Sequence, residues 1–333
     1  MPKSIDWDAQ IGRRLRLRDL NAFFTVVKWG SMAKAAEHLR VSQPAISKTI
    51  SDLEHALGVR LLDRTRRGVE PTIYGNALLK RGLIAFDELK QSVRDIQFLA
   101  DPTSGELTIG CAESIAATVL RPIIDQFSAD HPGVVLRVDT LPSPAIDNPG
   151  LRERKYDLVL GRRPMKLDHF SEDLKVEILF DDHLVVVAGK HTTWARRRKI
   201  DFADLAQQRW ILPPKETWTY GFVADAFEAR DLRMPKVSFM TFSLPLVMHF
   251  LASGPFVTVL PSSVVALHSG NEVLKTLAVP FPSCRWPVAI VTLKDRTLSP
   301  IVERFIDCSH VIAKSLASLR QAQRAKHPNR DPC

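Results

Sequence analysis

A chain of 333 residues with 45% hydrophobic and 25% charged side chains is long enough to bury the cores of two or three domains, and its composition is globular, neither fibrous nor disordered. No apolar run approaches the roughly 18 residues of a membrane span, and the charged stretch Met1–Arg18 has no signal-peptide core, so a cytoplasmic protein with no membrane partner is expected. The net charge of +9 is uneven: residues 1–100 hold 17 Lys+Arg against 11 Asp+Glu and the remaining 233 hold 29 against 26, which suits a polyanionic partner at the N-terminal end, although a solvated basic surface gives the same count.

Residues 1–16 lack hydrophobic periodicity and read as a flexible basic extension. Leu17, Leu20, Phe23, Phe24 and Val27 then form the apolar stripe of a first helix that stops near Gly30. A second helix opens at Ser31, carries Ala33, Ala35, Ala36 and Leu39, and stops near Arg40; its small side chains let another helix cross closely. Ser42 is a good N-cap, Pro44 sits in a first turn where a missing N–H costs nothing, and Ile46, Ile50, Leu53 and Leu57 recur at helical spacing. The other face of this third helix holds Gln43, Ser47, Lys48 and Ser51, side chains that can meet base edges and phosphates. On periodicity alone, the pair from Ala33 to Glu54 fits a hairpin in an ordinary core as well as it fits a helix-turn-helix reader of double-stranded DNA.

After Gly58, Val59–Thr72 reads as a strand, a basic turn closed by Gly68, and a second strand: a wing whose Arg64, Arg66 and Arg67 suit phosphates or a minor groove. The run VSQPAISKTISDLEHALGVRLLDRTRRGVEPTIYG, preceded by GSMAKAAEHLR, resembles the winged helix-turn-helix of LysR-type transcriptional regulators. That resemblance implies a DNA-binding domain over residues 17–73, with Ser31, Ser42, Gln43, Pro44, Ser47, Lys48, Ser51, Arg64, Arg66 and Arg67 at its DNA-binding site.

From Tyr74 to Leu99 there is no proline, and Leu79, Phe86 and Val93 repeat at seven with Leu89 and Ile96 on the alternate positions, a helical seam weakened at Gly82. In proteins resembling LysR regulators this segment, residues 74–100, is the linker helix that pairs two subunits. Two reading heads on a symmetric pair suit the half-sites of a near-palindromic operator, so a homodimer or homotetramer is expected.

Asp101–Gly105 is turn-forming, and beyond it strands at 107–110, 134–138, 156–160, 184–188, 237–240, 256–260 and 288–293 alternate with helices at 114–130, 218–230, 244–252 and 300–319, predicting a largely parallel sheet. This region is similar to the effector-binding part of LysR regulators, carried by LTIG, LRERKYDLVLG and FVTVLPSSV. The loop Pro142–Pro149 departs from the family in being richer in proline. The whole resemblance implies an N-terminal mainly-α winged helix-turn-helix, a linker helix, then an α/β two-subdomain effector domain with the fold of periplasmic solute-binding proteins. That domain spans 104–320, with subdomain I at 104–177 and 281–320, subdomain II at 178–280, crossings near Val176–Leu179 and Val279–Phe281, and a charged tail at 321–333.

In open α/β sheets ligands bind beyond the carboxyl ends of strands, where helix N-termini present unpaired N–H groups. Ser114 falls at such a place; Arg162 and Arg163 follow the strand at 156–160 as cations for an anionic effector; Thr217, Trp218, Thr241 and Ser243 lie in loops entering helices of the second subdomain. The expected ligand is an organic acid, an aromatic acid or a sugar-like molecule, and each residue also has a capping or surface reading. Ser31-Met-Ala-Lys34 matches the serine–lysine pattern of penicillin-recognising enzymes by chance, since the companion patterns are missing. Asp181-Asp182-His183 reads as an exposed turn rather than a metal site; Cys111, Cys284, Cys308 and Cys333 form no CxxC pair and read as free thiols; and no cofactor motif is present. The expectation is a DNA-binding transcriptional regulator that answers a small-molecule effector, not an enzyme; the alternative is a cytoplasmic small-molecule-binding protein with no DNA role.

Overall fold

The computed structural model describes residues 15–65, 68–141, 148–162, 172–197, 199–267, 273–279, 281–282 and 285–325 of the 333. The chain forms two compact units, residues 1–90 and 91–333.

The first unit holds α1 (Leu17–Trp29), α2 (Met32–Leu39), α3 (Gln43–Leu57), β1 (Leu62–Thr65), β2 (Gly68–Pro71) and the start of α4 (Ile73–Ala100). Helix ends follow local chemistry. Ser31 Oγ accepts the Lys34 N–H at 3.4 Å, Ser42 Oγ accepts the Ala45 N–H at 3.3 Å, and Gly30 and Gly58 close α1 and α3 with φ of 59° and 70°. Of the positions periodic in the sequence, Leu20, Phe23, Ala35, Ala36, Ile46, Ile50 and Leu53 form the core and Phe24, Val27, Leu39 and Leu57 pack against it, joined by Val26, whereas Leu17 is exposed.

The wing strands pair antiparallel from Leu62↔Pro71 to Thr65↔Gly68. Arg66, Arg67 and the side chain of Arg64 lie outside the described residues. Two contacts fasten the wing to the helices. Val69 N–H donates to the Gly30 carbonyl at 2.9 Å, and Gly68, at φ 128°, permits this approach because a Cβ there would lie 2.5 Å from the Gly30 oxygen. Glu54 Oε1, on α3, accepts the N–H groups of Leu61 and Leu62 at 2.7 and 3.2 Å.

Helix α4 runs 28 residues from its Thr72 cap, whose Oγ1 accepts the Gly75 N–H at 3.1 Å. The expected seven-residue seam splits between two jobs. Leu79 and Phe86 pack on the first unit's core, with Phe86 edge-on to Phe24 at 5.3 Å, whereas Leu89, Val93 and Ile96 are exposed. Gly82 is therefore a packing site: a Cβ there would lie 2.5 Å from the Phe24 ring.

The second unit has two five-stranded sheets. In the first, β3 (Ser104–Ala112) lies between β4 (Gly133–Leu141) and β5 (Leu158–Arg162), all parallel, and β12 (Val288–Leu293) runs antiparallel to β5 and to β6 (Leu174–Phe180), giving the order β4-β3-β5-β12-β6. The second has the order β11-β7-β10-β8-β9, where β7 (Leu184–Gly189) is antiparallel to β10 (Phe256–Pro261) and to β11 (Leu274–Thr276), and β8 (Arg209–Leu212) is parallel to β10 and to β9 (Val237–Met240). Both sheets are mixed, where the alternation of elements predicted a largely parallel one. The antiparallel pairings belong to β12 and β6 in the first sheet and β7 and β11 in the second, the strands next to a crossing, which have no covering helix to return them.

The chain leaves the first sheet after Phe180, because β6 pairs with β12 through that residue; the first crossing is Asp181–His183, a few residues beyond the expected Val176–Leu179. The return falls between β11 and β12. After β3 the helix expected at 114–130 is broken into Glu113–Ile115, a π-turn at Ala116–Leu120, and α5 (Arg121–Asp130). Pro122, which lacks an N–H, stands at the start of α5 and accounts for the irregular ladder before it. Asn148 Oδ1 caps α6 (Pro149–Arg152) through the Gly150 N–H at 2.8 Å, while residues 142–147 of the proline-rich loop lie outside the described residues. The remaining helices are α7 (Phe202–Ala206), α8 (Trp218–Glu228), α9 (Leu244–Ser253), α10 (Ser262–Leu267) and α11 (Pro300–Ala325), the last reaching five residues into the expected tail.

Replacing Glu54 with alanine strands two backbone donors at the start of the wing. It is expected to destabilise the first unit by about 1–3 kcal/mol, with Glu54→Gln recovering most of the loss because it keeps an acceptor. Urea unfolding followed by circular dichroism on both variants checks this; equal losses would remove the acceptor role.

Candidate functional site

Two sites emerge, one in each unit. In the first, α3 buries Ile46, Ile50 and Leu53 while Ser42, Gln43, Pro44, Lys48 and Ser51 are exposed and Ser47 is half-buried. The exposed set covers the N-terminal turns of one helix, where unpaired backbone N–H groups and the positive end of the helix dipole favour phosphate. Ser31 is the N-cap of α2.

The second site lies between the two sheets of the larger unit, around Arg162. This arginine is the last residue of β5 rather than a loop residue beyond it, and it is 2% exposed. Its Nη1 donates to Ser114 Oγ at 2.7 Å, and its Nη2 donates to Ser263 Oγ at 3.0 Å and pairs with Asp182 Oδ2 at 3.3 Å. Asp182 is itself 1% exposed. It accepts from the Ser262 hydroxyl at 2.7 Å, the Ser263 hydroxyl at 2.6 Å, and the His183 and Ser263 N–H groups at 2.9 and 3.2 Å. Asp182 thus belongs to no exposed turn: it is the crossing residue itself, buried at the head of α10. Such a network joins a serine and a strand end of the first subdomain to the crossing and to a helix N-terminus of the second.

Aromatic side chains extend the site. The Arg162 guanidinium lies 5.4 Å from the Trp286 ring, Trp286 lies 5.0 Å from Trp218, and Trp218 stacks on Phe222 at 5.0 Å. Trp286 Nε1 is buried with no hydrogen-bond partner among the described residues, and its backbone N–H donates to the Asp182 carbonyl at 2.8 Å. Sequence reasoning missed Ser263 and Trp286, which no spacing links to Arg162 across 101 and 124 positions, and it read Asp182, 20 positions on, as part of an exposed turn. Of the expected residues, Ser114, Arg162 and Trp218 come together; Thr217 caps α8, and Thr241 and Ser243 bond to one another at the start of α9. Arg163 lies outside the described residues. A separate concavity of about 680 Å³, lined in part by Lys199, Asp204, Arg230 and Leu232, contains none of these residues.

Neither described cysteine is poised as a thiolate. Burial pushes Cys111, in β3, up to about 11, and burial with the nearby Asp130 charge raises Cys308. Among the described residues no cluster of three His, Cys, Asp or Glu is arranged to hold a metal, and no helix is long and apolar enough to cross a membrane.

Because Arg162 and Asp182 are buried together, removing one charge strands the other. Asp182→Asn is expected to destabilise the larger unit by about 3–5 kcal/mol in urea unfolding, while Asp181→Asn, on the exposed neighbour, shifts the midpoint little; the same small shift for both would show that the buried pair does not form.

The resemblance to known proteins covers both units. The lysR family of bacterial regulatory helix-turn-helix proteins matches residues 17–76, and the LysR substrate binding domain matches residues 100–310. The HTH-type transcriptional regulator GbpR of Azospirillum brasilense is 30% identical over 86% of this chain and 83% of its own length, and the uncharacterized HTH-type transcriptional regulator YdcI of Escherichia coli is 27% identical over 86% and 92%. Among solved structures, a full-length OxyR variant from Pseudomonas aeruginosa superposes with a TM-score of 0.63 at 22% identity over 90% of this chain and 95% of that one, and the LysR family regulator CbnR with 0.59 at 19% over 90% and 99%. The chain belongs to the LysR family of transcriptional regulators, non-enzymatic DNA-binding proteins with a helix-turn-helix head and an effector-binding domain.

Proposed function

We propose that the protein works in the cytoplasm as a dimer or a tetramer, whose paired heads read the half-sites of a near-palindromic operator and whose cleft around Arg162 senses a small molecule. The observation that carries the DNA reading is the division of α3, with Ile46, Ile50 and Leu53 buried and the polar face from Ser42 to Ser51 exposed. Gln43 and the serines are the base-edge readers, Lys48 and the wing arginines the phosphate contacts. Dimerisation is supported by the exposed apolar stripe Leu89, Val93 and Ile96 on α4, which calls for a cover that water does not provide. A solved structure of CbnR is a complex with its target DNA; this chain matches it at a TM-score of 0.50 and 21% identity, covering 90% of this chain and all of that one.

The effector is read from the charge balance of the cleft. Arg162 is already offset by Asp182, so a carboxylate entering there meets a buried negative charge beside the positive one. The Ser114 hydroxyl and the Trp286 N–H are the donors at hand, and Trp218 with Phe222 offers aromatic faces. These suit an uncharged ring compound bearing hydroxyl oxygens, the sugar-like class, over an organic or aromatic acid.

Gel-shift titrations on the operator recovered by mapping bound DNA across the genome test the head. Gln43→Ala is expected to cost about 1–3 kcal/mol and to relax discrimination at one base position, whereas Lys48→Ala weakens all sequences alike and lowers the salt dependence by about one phosphate's worth; unchanged binding in both would remove α3 as the reader. For the cleft, Ser114→Ala is expected to abolish the response of a reporter gene to the effector while operator affinity stays within about twofold of wild type. Loss of both activities together would mean a folding defect, and a full response would place the effector elsewhere.

A further inference from the structure

The last turns of α4 are fastened to the strand that ends in Arg162. Arg94 Nη1 donates to Asp157 Oδ1 at 2.7 Å, Arg296 Nη2 donates to the same oxygen at 3.0 Å, and Asp157 Oδ2 accepts the Thr108 N–H at 2.9 Å. Arg296 also donates through Nη1 to the Tyr156 carbonyl at 2.9 Å. Asp157 and Arg296 are buried, so this carboxylate is held by two guanidinium groups and a backbone amide out of water, where charge-assisted bonds are strong and specific in direction. One turn further along α4, Phe98 packs on the core of the first subdomain with the Arg304 guanidinium 4.8 Å from its ring.

Asp157 immediately precedes β5, and all five residues of β5, Leu158 to Arg162, are buried. At about 3.3 Å per residue, Asp157 and Arg162 are some 17 Å apart along one extended strand. That strand is hydrogen-bonded on both sides, to β3 and to β12, and cannot bend without disturbing the sheet. One end therefore carries the anchor of the linker helix and the other the charge that ties together Ser114, Asp182 and Ser263. Gln91 Oε1 and Asp95 Oδ1, on the same turns of α4, are buried with no hydrogen-bond partner among the described residues.

We propose that Arg94 and Asp157 are positioning residues of the regulatory response, passing the state of the Arg162 network through β5 to the helix that also carries the DNA-reading head. The proposal rests on the cleft reading above only in taking Arg162 as the point where occupancy is sensed. An effector shifts a regulator only through a difference in free energy between two arrangements, and the strand supplies a physical link between the site that feels it and the helix that answers.

The test needs no effector. Hydrogen–deuterium exchange is measured on the full chain for wild type, Ser263→Ala, Arg94→Ala and the double variant. Ser263→Ala removes a hydroxyl that accepts from Arg162 and donates to Asp182. Exchange of the amides of residues 91–100 is expected to rise about threefold or more in Ser263→Ala, the lower part of the range for coupling through packed networks, and to gain nothing further when Ser263→Ala is added to Arg94→Ala. Ser262→Ala, which loosens Asp182 from the other side, gives a second perturbation should Ser263→Ala fold poorly. Faster exchange at residues 182–183 with wild-type exchange at 91–100 overturns the proposal, as does an effect of Ser263→Ala that persists in full without Arg94, since independent sites act additively. An effector found to bind elsewhere would sink the cleft reading and leave this exchange result standing.

Discussion

The ion pair of Arg162 with Asp182 is the constraint around which the larger unit is arranged. Two charges with 2% and no side-chain exposure survive out of water only when they are paired and hydrogen-bonded, and here Ser114, Ser262, Ser263 and the His183 amide supply partners from three separate stretches of chain. The partners come from both subdomains and from the crossing between them, so the pair specifies how two otherwise self-sufficient sheets meet. A purely apolar contact would hold the sheets together as well, but without direction; the hydrogen-bond geometry of a guanidinium does not slide.

The smaller unit solves a different problem, which is to present one helix face to a partner while burying the other. Ile46, Ile50 and Leu53 pin α3 to α1 and α2, and Glu54 on the same helix holds the first wing strand by two backbone amides. Helix α3 and the wing are thus joined directly. The glycine pair Gly30 and Gly68 adds a backbone contact that no side chain would allow, so the second wing strand is tied to the end of α1 as well.

Helix α4 belongs to both problems. Leu79 and Phe86 make it part of the head's core, Phe98 makes it part of the larger unit's core, and the stretch between leaves Leu89, Val93 and Ile96 exposed. Helix α4 therefore has residues in the cores of both units.

Much of this was legible in the residue order. Caps at Ser31, Ser42 and Asn148, the helix starting at Leu17 and the strands at Val237–Met240 and Val288–Leu293 are local signals, each set by neighbours within a few positions, and local signals survive folding. Strand direction was less legible, since antiparallel pairing at the crossings depends on which distant strand arrives beside which. The pattern also missed the short strands β8 and β11, of four and three residues, which are stabilised by their partners, and the seven-residue β6, whose alternating Leu174–Ile178 was left unread. Heptad spacing found α4 but not the division of its apolar residues, which the Phe24 ring decided by occupying the space left by Gly82.

The residue order by itself determined the helices, the head with its exposed polar face, the family and the two-part plan, because periodicity, capping and turn chemistry act at short range. Only the tertiary structure decided what surrounds Arg162. As a residue near a strand end it reads as an open cation awaiting an anion. Folded, it is a buried and balanced charge, because Asp182, 20 positions on, and Ser263, 101 positions on, are brought to it where the two sheets meet.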